Sequence, residues 1–336
     1  MGSYYRRRRR RGRGWWTVPA AAIVFVAAWW VYPALGPTSD SDVAFPALQA
    51  AAPTADIPTP TDPPPKLPTA DPDSAPINAP PIPQPAVPKS ADTLIVAGRE
   101  ALARGDLLIG RAKLSEALQL GVDQLTAAAL RNELLPIGAE TILSPRIVDN
   151  DPLVTRYVIQ TGDSLAKIAA MYKVSPELLA SVNGMADKNL IRAGQTIKVV
   201  KGPFRAVVRK QEFVLEVYLG DTFVRHFRVG LGAADSTPTG DWEVGTKLIN
   251  PTYYPPRGGG IVSADDPANP LGERWIGLLG VSGSAVGQQR YGVHGTSEPD
   301  SIGKNASLGC IRLVNDDVEL VYAYLVEKHS TVTVIE

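Results

Sequence analysis

The stretch Phe213-Val214-Leu215-Glu216-Val217-Tyr218-Leu219, then Gly220-Asp221, then Thr222-Phe223-Val224-Arg225-His226-Phe227-Arg228-Val229-Gly230, decides the fold of the C-terminal part of this chain. β-Branched and aromatic residues fill both runs, and a Gly-Asp pair separates them. That pattern predicts a strand, a tight turn and a returning strand. More glycine-punctuated short strands follow, with one helical pattern near Asp316 to Lys328. Residues 204–336 therefore read as a mainly-β, sandwich-like domain.

Upstream, residues 155–201 carry a different pattern. Arg156-Tyr157-Val158-Ile159-Gln160-Thr161-Gly162-Asp163-Ser164-Leu165 opens it, and Val174-Ser175-Pro176-Glu177 and Asn183-Gly184 punctuate it. Ile191-Arg192-Ala193-Gly194-Gln195-Thr196-Ile197-Lys198-Val199 closes it. The order predicted is strand, helix, helix, strand. Asp163 or Ser164 caps the first helix, and Ser175, with Pro176 at the first helical position, opens the second.

Residues 90–150 read as three helices. Leu94, Ala97, Ala101 and Leu102 recur at helical spacing, as do Ala112, Leu114, Ala117 and Leu118, then Leu125, Ala129, Leu130 and Leu134. Gly105-Asp106 and Gly121-Val122-Asp123 separate them. The 101–120 segment has the look of one tetratricopeptide-type hairpin, and one repeat cannot bury its own face. A small packing module and a partner-binding site are both open readings, and the partner is unassigned.

Residues 36–89 are dominated by Pro, Ala, Thr and Asp. Such a segment buries too little apolar surface to offset its ordering entropy, and proline stiffens it. At ~3 Å per residue it reaches on the order of 150 Å. Before it, residues 15–35 are uncharged and apolar, which is roughly the length of a membrane-spanning helix. Trp15, Trp16, Trp29, Trp30 and Tyr32 sit near its ends, where amphipathic rings favour the interface. Arg6 to Arg11 form a run of six arginines within residues 1–14. Those charges stay cytoplasmic and place the rest of the chain outside. An uncleaved anchor is expected, with a cleaved signal peptide as the rival.

The 336 residues balance 34 basic against 34 acidic side chains, so the chain as a whole carries no signal for nucleic acid. There is one cysteine, Cys310, and intrachain disulfides are excluded. One Cys and three scattered His do not make a zinc site, so no metal or cofactor is expected.

Alone, Cys310 reads as an inert core thiol. Its surroundings change that. Ser307-Leu308-Gly309-Cys310-Ile311-Arg312-Leu313 follows Tyr291-Gly292-Val293-His294-Gly295-Thr296, with 15 residues between His294 and Cys310. A thiol becomes a strong nucleophile as thiolate, which needs a nearby base or positive charge. His294 is the candidate base. Gly309 lets backbone approach a substrate, and the amides at 309 and 310 are candidate oxyanion donors. Arg312 offers a cation for a carboxylate. His226 and His329 receive the ordinary structural reading. Tyr253, Tyr254 and Trp275 are candidate cleft or core aromatics.

These two segments resemble the L,D-transpeptidase catalytic domain of the YkuD type. Thr237-Pro238-Thr239-Gly240-Asp241-Trp242 and Asn269-Pro270-Leu271-Gly272-Glu273-Arg274-Trp275 resemble further segments of that family. Leu308 departs from it, since many members have a second histidine there. The 156–200 region resembles a LysM module. The resemblance implies a cysteine acyl-enzyme formed on peptidoglycan stem peptides at the diamino acid. Cys310 and His294 would be catalytic, Gly309, Gly295 and Ser307 would serve the oxyanion and orientation, and Arg312, Tyr291 and Trp275 would hold substrate. It also implies glycan binding by Gly162, Asp163, Ser164, Asn189, Leu190 and Ile191. The expected place is the cell envelope, at the inner membrane with the catalytic domain in periplasm or wall. Resolution of the thioester by water (an L,D-carboxypeptidase), attachment of a protein, and a non-catalytic wall-binding scaffold are the competing readings.

Overall fold

A computed structural model of the chain describes residues 90–256 and 258–336. The expected basic N-terminus, anchor and proline-rich linker, 1–89, lie outside the described residues. Among the described residues no helix is long and apolar enough to cross a membrane.

The N-terminal helices are α1 (Ala91–Ala103), α2 (Leu107–Leu120) and α3 (Gln124–Thr141). Ser90 Oγ accepts the Thr93 amide at 3.2 Å, and Asp123 Oδ1 accepts the amides of Leu125 (3.0 Å) and Thr126 (3.1 Å). These are N-caps that satisfy otherwise orphaned donors. The four elements that follow are β1 (Val154–Val158), α4 (Leu165–Met171), α5 (Pro176–Val182) and β2 (Thr196–Val200), with β1 and β2 antiparallel. Ser164, and not Asp163, caps α4, accepting the Lys167 amide at 3.2 Å. Asp163 instead accepts from Tyr157 Oη (2.9 Å) and the Gln160 amide (2.8 Å), closing the turn before the helix. Ser175 caps α5 through the Leu178 amide at 3.0 Å.

The C-terminal region holds β3 (Phe204–Arg209), β4 (Val214–Leu219), β5 (Thr222–Arg228), β6 (Leu231–Gly232), β7 (Gly240–Ile249), β8 (Arg274–Gly280), β9 (Tyr291–His294), β10 (Asn305–Ser307), β11 (Ile311–Arg312), α6 (Asn315–Tyr324) and β12 (Thr331–Ile335). Eight strands form one sheet in the order β11-β9-β8-β7-β12-β3-β4-β5, and β6 pairs separately with β10. The region is mainly β, as its sequence predicts. Helices cover one face of β3–β5, and the other face packs into the core shared with β7–β9 and β11.

β4 shows why. Every residue from Val214 to Leu219 is buried. Leu215, Val217 and Leu219 join the core of the sheet, while Tyr218 joins a second core with Phe223, Leu94, Leu114, Leu118, Leu130 and Leu134. Alternate side chains of a strand point to opposite faces, so a strand covered on both reads as one unbroken apolar run. The helical hairpin therefore does not await an outside partner for this face, because the sheet already covers it. Each Leu buried there contributes about 1.5–3 kcal/mol. Glu216, fully buried on the helix side, is met by Arg131 Nε (2.6 Å), Arg209 Nε (3.1 Å) and Tyr218 Oη (2.8 Å).

The 155–201 module is built into the same body. Its apolar residues belong to one continuous core with the large sheet, and Ser175 Oγ donates to the Ala323 carbonyl in α6 at 2.5 Å. Lys198 on β2 is buried, and its Nζ donates to the carbonyls of Thr141 (2.7 Å), Ser144 (2.9 Å) and Arg146 (2.6 Å). Those carbonyls sit where α3 ends, so an ammonium from one module satisfies the helix terminus of another. Burial lowers Lys198 to about 8, against the pull of Asp151.

The helix expected to reach Lys328 stops at Tyr324. Lys247 Nζ takes the carbonyls of Tyr322 (2.6 Å) and Leu325 (2.5 Å), and Leu325 is already extended. A side chain from β7 thus terminates a pattern that local sequence would continue.

Candidate active site

β9 and β11 are parallel neighbours, with Val293 opposite Ile311 and His294 opposite Arg312. Cys310 lies one residue before β11, beside Gly292. In-register neighbours on parallel strands share a face, so His294, Arg312 and Cys310 reach the same side. A cleft of about 600 Å³ opens there, and His294, Cys310, Arg312, Tyr291 and Trp275 all line it. Its far wall is Pro251 to Tyr254 with Pro270 and Leu271. Asn269, buried, holds that wall in shape: its Nδ2 donates to the Pro251 carbonyl at 2.8 Å, and its Oδ1 accepts the Leu271 amide at 3.0 Å.

His294 is buried, and its Nδ1 lies 2.6 Å from the Gly295 carbonyl. A carbonyl only accepts, so Nδ1 carries the hydrogen and Nε2 keeps its lone pair. The Trp275 ring stacks on the imidazole, with centroids 5.7 Å apart and planes 23° from parallel. Burial lowers the His294 pKa to about 4, with the Gly295 carbonyl opposing that shift and the Arg312 charge adding to it. Cys310 moves the other way. Burial pushes its thiol up, against the Gly292 amide and the Arg312 charge. At neutral pH the pair rests as thiol and neutral imidazole. Sγ points to the Arg290 carbonyl at 3.9 Å, and among the described residues no hydrogen bond joins it to His294.

These shifts set a pH dependence. A neutral His294 is available at all pH values above about 4. The acidic limb of kcat/KM for cysteine acylation is therefore expected near pH 4, not near the ordinary 6.5 of histidine, and stopped-flow acylation across pH 3–7 measures it. Stability follows the same proton. Between pH 6.5 and about 4 the unfolded chain protonates position 294 and the folded chain does not, so folding weakens as pH falls through that window.

The Ser307–Cys310 turn is tighter than the sequence implies. Ser307 Oγ donates to the Cys310 carbonyl (2.6 Å) and accepts the Gly309 amide (3.0 Å). The Gly309 amide, a candidate oxyanion donor by sequence, is thus already spoken for, and Ser307 is the residue that claims it. Gly309 has φ of 127°, and a Cβ there would lie 2.6 Å from Tyr291 Cε1. Only glycine fits. Thr237, in the Thr-Pro-x-Gly segment, is a further residue of the site that the sequence does not assign. It is buried, its Oγ1 donates to the Gly309 carbonyl (2.9 Å), and it accepts the Gly232 amide (2.8 Å). Its signal was the Thr-Pro-x-Gly segment, whose tie to a loop 72 positions away is not a local property.

Arg312 is not a free cation, since Nη1 pairs with Glu298 at 3.0 Å, while its Nε is buried without a partner. Tyr291 packs on Trp242, with centroids 5.3 Å apart, so much of its ring serves the core beneath the site. Leu308 stands 60% exposed at the cleft. His226 lies on β5, at the sheet edge opposite β11, and neither it nor His329 lines the cleft. Among the described residues no three His, Cys, Asp or Glu side chains are grouped to hold a metal ion.

The 157–200 segment matches the LysM domain model, and residues 203–334 match that of the L,D-transpeptidase catalytic domain, YkuD. Two curated relatives, the YkuD proteins of Bacillus subtilis and Bacillus licheniformis, are named as L,D-transpeptidases. The first is 31% identical over 186 residues, 53% of this chain and 97% of its own length. The second is 30% identical over 170 residues, 48% of this chain and 88% of its own length. The chain belongs to the YkuD family of L,D-transpeptidases. An L,D-transpeptidase structure from Mycobacterium tuberculosis overlaps 55% of this chain and 90% of its own at TM-score 0.32 and 16% identity, too loose a likeness to carry any point of mechanism.

Within this YkuD-family protein the two modules differ in what they leave open. The LysM loops at 161–164 and 186–195 remain largely exposed, with Leu190 74% accessible. Ile191 packs partly against the core, and Asn189 is folded back on Asp187 Oδ1, 2.8 Å from its amide.

Proposed function

We propose that this protein is an acyltransferase that cross-links peptidoglycan stem peptides through a thioester on Cys310. The observation that carries the reading is the pairing of Cys310 with an imidazole of defined tautomer on one cleft wall, Nδ1–H held by Gly295 and Nε2 open. His294 Nε2 takes the thiol proton after a rotation of the cysteine side chain away from Arg290. Apo geometries of this kind tighten when substrate binds. The thiolate attacks the carbonyl of the diamino acid, the proton passes to the departing D-alanine amine, and a thioester forms. An amine of a second stem then displaces the thiolate, which recovers its proton. The Cys310 amide, which makes no hydrogen bond to the described residues, is the remaining backbone donor for the oxyanion. Arg312 and Trp275 border the bound stem, and the LysM loops grip the glycan. The apolar 15–35 stretch, behind its arginines, holds the enzyme at the membrane.

The test is product analysis. Purified enzyme incubated with disaccharide-tetrapeptide is expected to give a dimer lacking one D-alanine by mass spectrometry. A tripeptide monomer instead would make the enzyme a carboxypeptidase. Unchanged substrate would make the chain a wall-binding scaffold.

A further inference from the structure

α6 starts at Asn315, and its N-cap position is Val314, which makes no side-chain cap. The Asn315 side chain serves something else. Its Oδ1 accepts the amide hydrogens of Thr296 (3.2 Å) and Glu273 (3.3 Å). Both partners are donors, which fixes the oxygen and not the nitrogen at that position. The space is made by two glycines. A Cβ on Gly272 or on Gly295 would collide with Asn315 Oδ1.

The Thr296 amide is one half of a peptide group whose other half is the Gly295 carbonyl. That carbonyl is the one on His294 Nδ1 at 2.6 Å. A peptide group is planar, so fixing its N–H fixes the direction of its C=O. Accepting at one end and donating at the other also polarises the group, which strengthens both bonds.

We infer that Asn315 is a positioning residue: by gripping the N–H of the Gly295–Thr296 peptide it holds the carbonyl of that peptide on His294 Nδ1, and so keeps Nε2 as the open base. The inference rests on His294 being the base of the proposed reaction. Asn315 touches neither thiol nor cleft, because the cleft lining includes His294 and Arg312 but not position 315. The charged and titratable groups around the imidazole are Cys310 and Arg312, and Arg312 is paired with Glu298. Neither offers Nδ1 an acceptor, so the 295 carbonyl alone sets the tautomer. A free imidazole prefers the opposite tautomer, with hydrogen on Nε2, so loosening the peptide frees the ring to turn its lone pair away from the cysteine.

Two readouts on the full chain test this without any peptidoglycan substrate. One is the ¹⁵N NMR signature of the His294 ring nitrogens, which separates the two neutral tautomers. The other is the rate of Cys310 alkylation by iodoacetamide at pH 7. The wild type is expected to show Nδ1–H only. Asn315→Ala is expected to show a mixture and an alkylation rate lower by about tenfold, the scale of one lost charge-tuning hydrogen bond. Asn315→Asp keeps an acceptor oxygen and is expected to retain the wild-type tautomer. A folded Asn315→Ala protein with the wild-type tautomer and rate overturns the inference. If that variant does not fold, the same result in Asn315→Leu, which is close in volume and carries no acceptor, overturns it. An inactive wild type that nevertheless shows the tautomer shift in Asn315→Ala would sink the transpeptidase reading and leave the positioning role standing.

Discussion

Cys310→Ala is expected to keep its fold and lose acyl transfer altogether, with no covalent adduct on exposure to a carbapenem. Nothing else in the chain can replace the thiol, since Cys310 is the one cysteine. The side chain is half-buried, so its truncation costs little packing, and thermal unfolding should move by no more than a few degrees. His294→Ala is expected to lower acylation by about 10²–10⁴, the range of a lost general base. Its adduct should still form slowly, because the thiol remains. Intact-mass spectrometry separates the two variants by rate against absence. If Cys310→Ala still releases D-alanine from a tetrapeptide, the nucleophile has been misassigned.

Asp151→Ala is expected to cost about 3–5 kcal/mol, the usual price of stranding a buried charge. Arg111 and Asp151 are both almost fully buried and meet through two bonds of 2.8 Å. Arg111 Nη1 also donates to Thr141 Oγ1 at 2.6 Å, and its Nε already lacks a partner. Without the carboxylate, a guanidinium would sit at the junction of α2, the end of α3 and the LysM module with no counter-charge. The expected drop in Tm is on the order of 10 °C by calorimetry. The double variant Arg111→Met with Asp151→Leu should recover much of it, because an apolar pair removes both desolvation costs. Burial pushes Asp151 up, yet the Arg111 bonds and the Leu153 amide hold it below the ordinary carboxylate range. Its contribution is therefore present above pH 3.8 and lost as pH falls through the depressed folded value. A Tm unchanged by Asp151→Ala would mean that the modules are only loosely joined.

That junction also bears on how LysM is to be probed. Its apolar residues are continuous with the core of the large sheet, and Lys198 completes α3. Removing residues 156–200 would open that core, so point substitutions in the exposed loops are the informative route to glycan binding.

Much of this architecture was legible residue by residue. The three helices announced themselves by their apolar spacing and by the Gly105-Asp106 and Gly121-Val122-Asp123 breaks between them, while their caps at Ser90 and Asp123 emerged with the structure. The LysM order followed from Ser175-Pro176 and from glycines at the turns. Family membership followed from the His294-Gly295 and Ser307-to-Arg312 segments together. Less legible were the choice between Asp163 and Ser164 as cap, the end of α6, and the use of the Gly309 amide. Each of those turned on a competing partner: Tyr157 for Asp163, Lys247 for the α6 carbonyls, Ser307 for the amide.

Short-range chemistry, then, was settled by the sequence alone: roughly where strands and helices lie, and that a cysteine and a histidine of one family pattern stand in this chain. The three-dimensional structure decided everything that joins distant segments. It set the helical hairpin over β4, tied Lys198 to a helix end more than 50 positions away, and aimed Asn315 at the peptide behind His294. The physical reason is that propensity and capping are properties of neighbours in the chain. Burial of a charge, or the pairing of a lone amide, is satisfied by whichever side chain packing brings near.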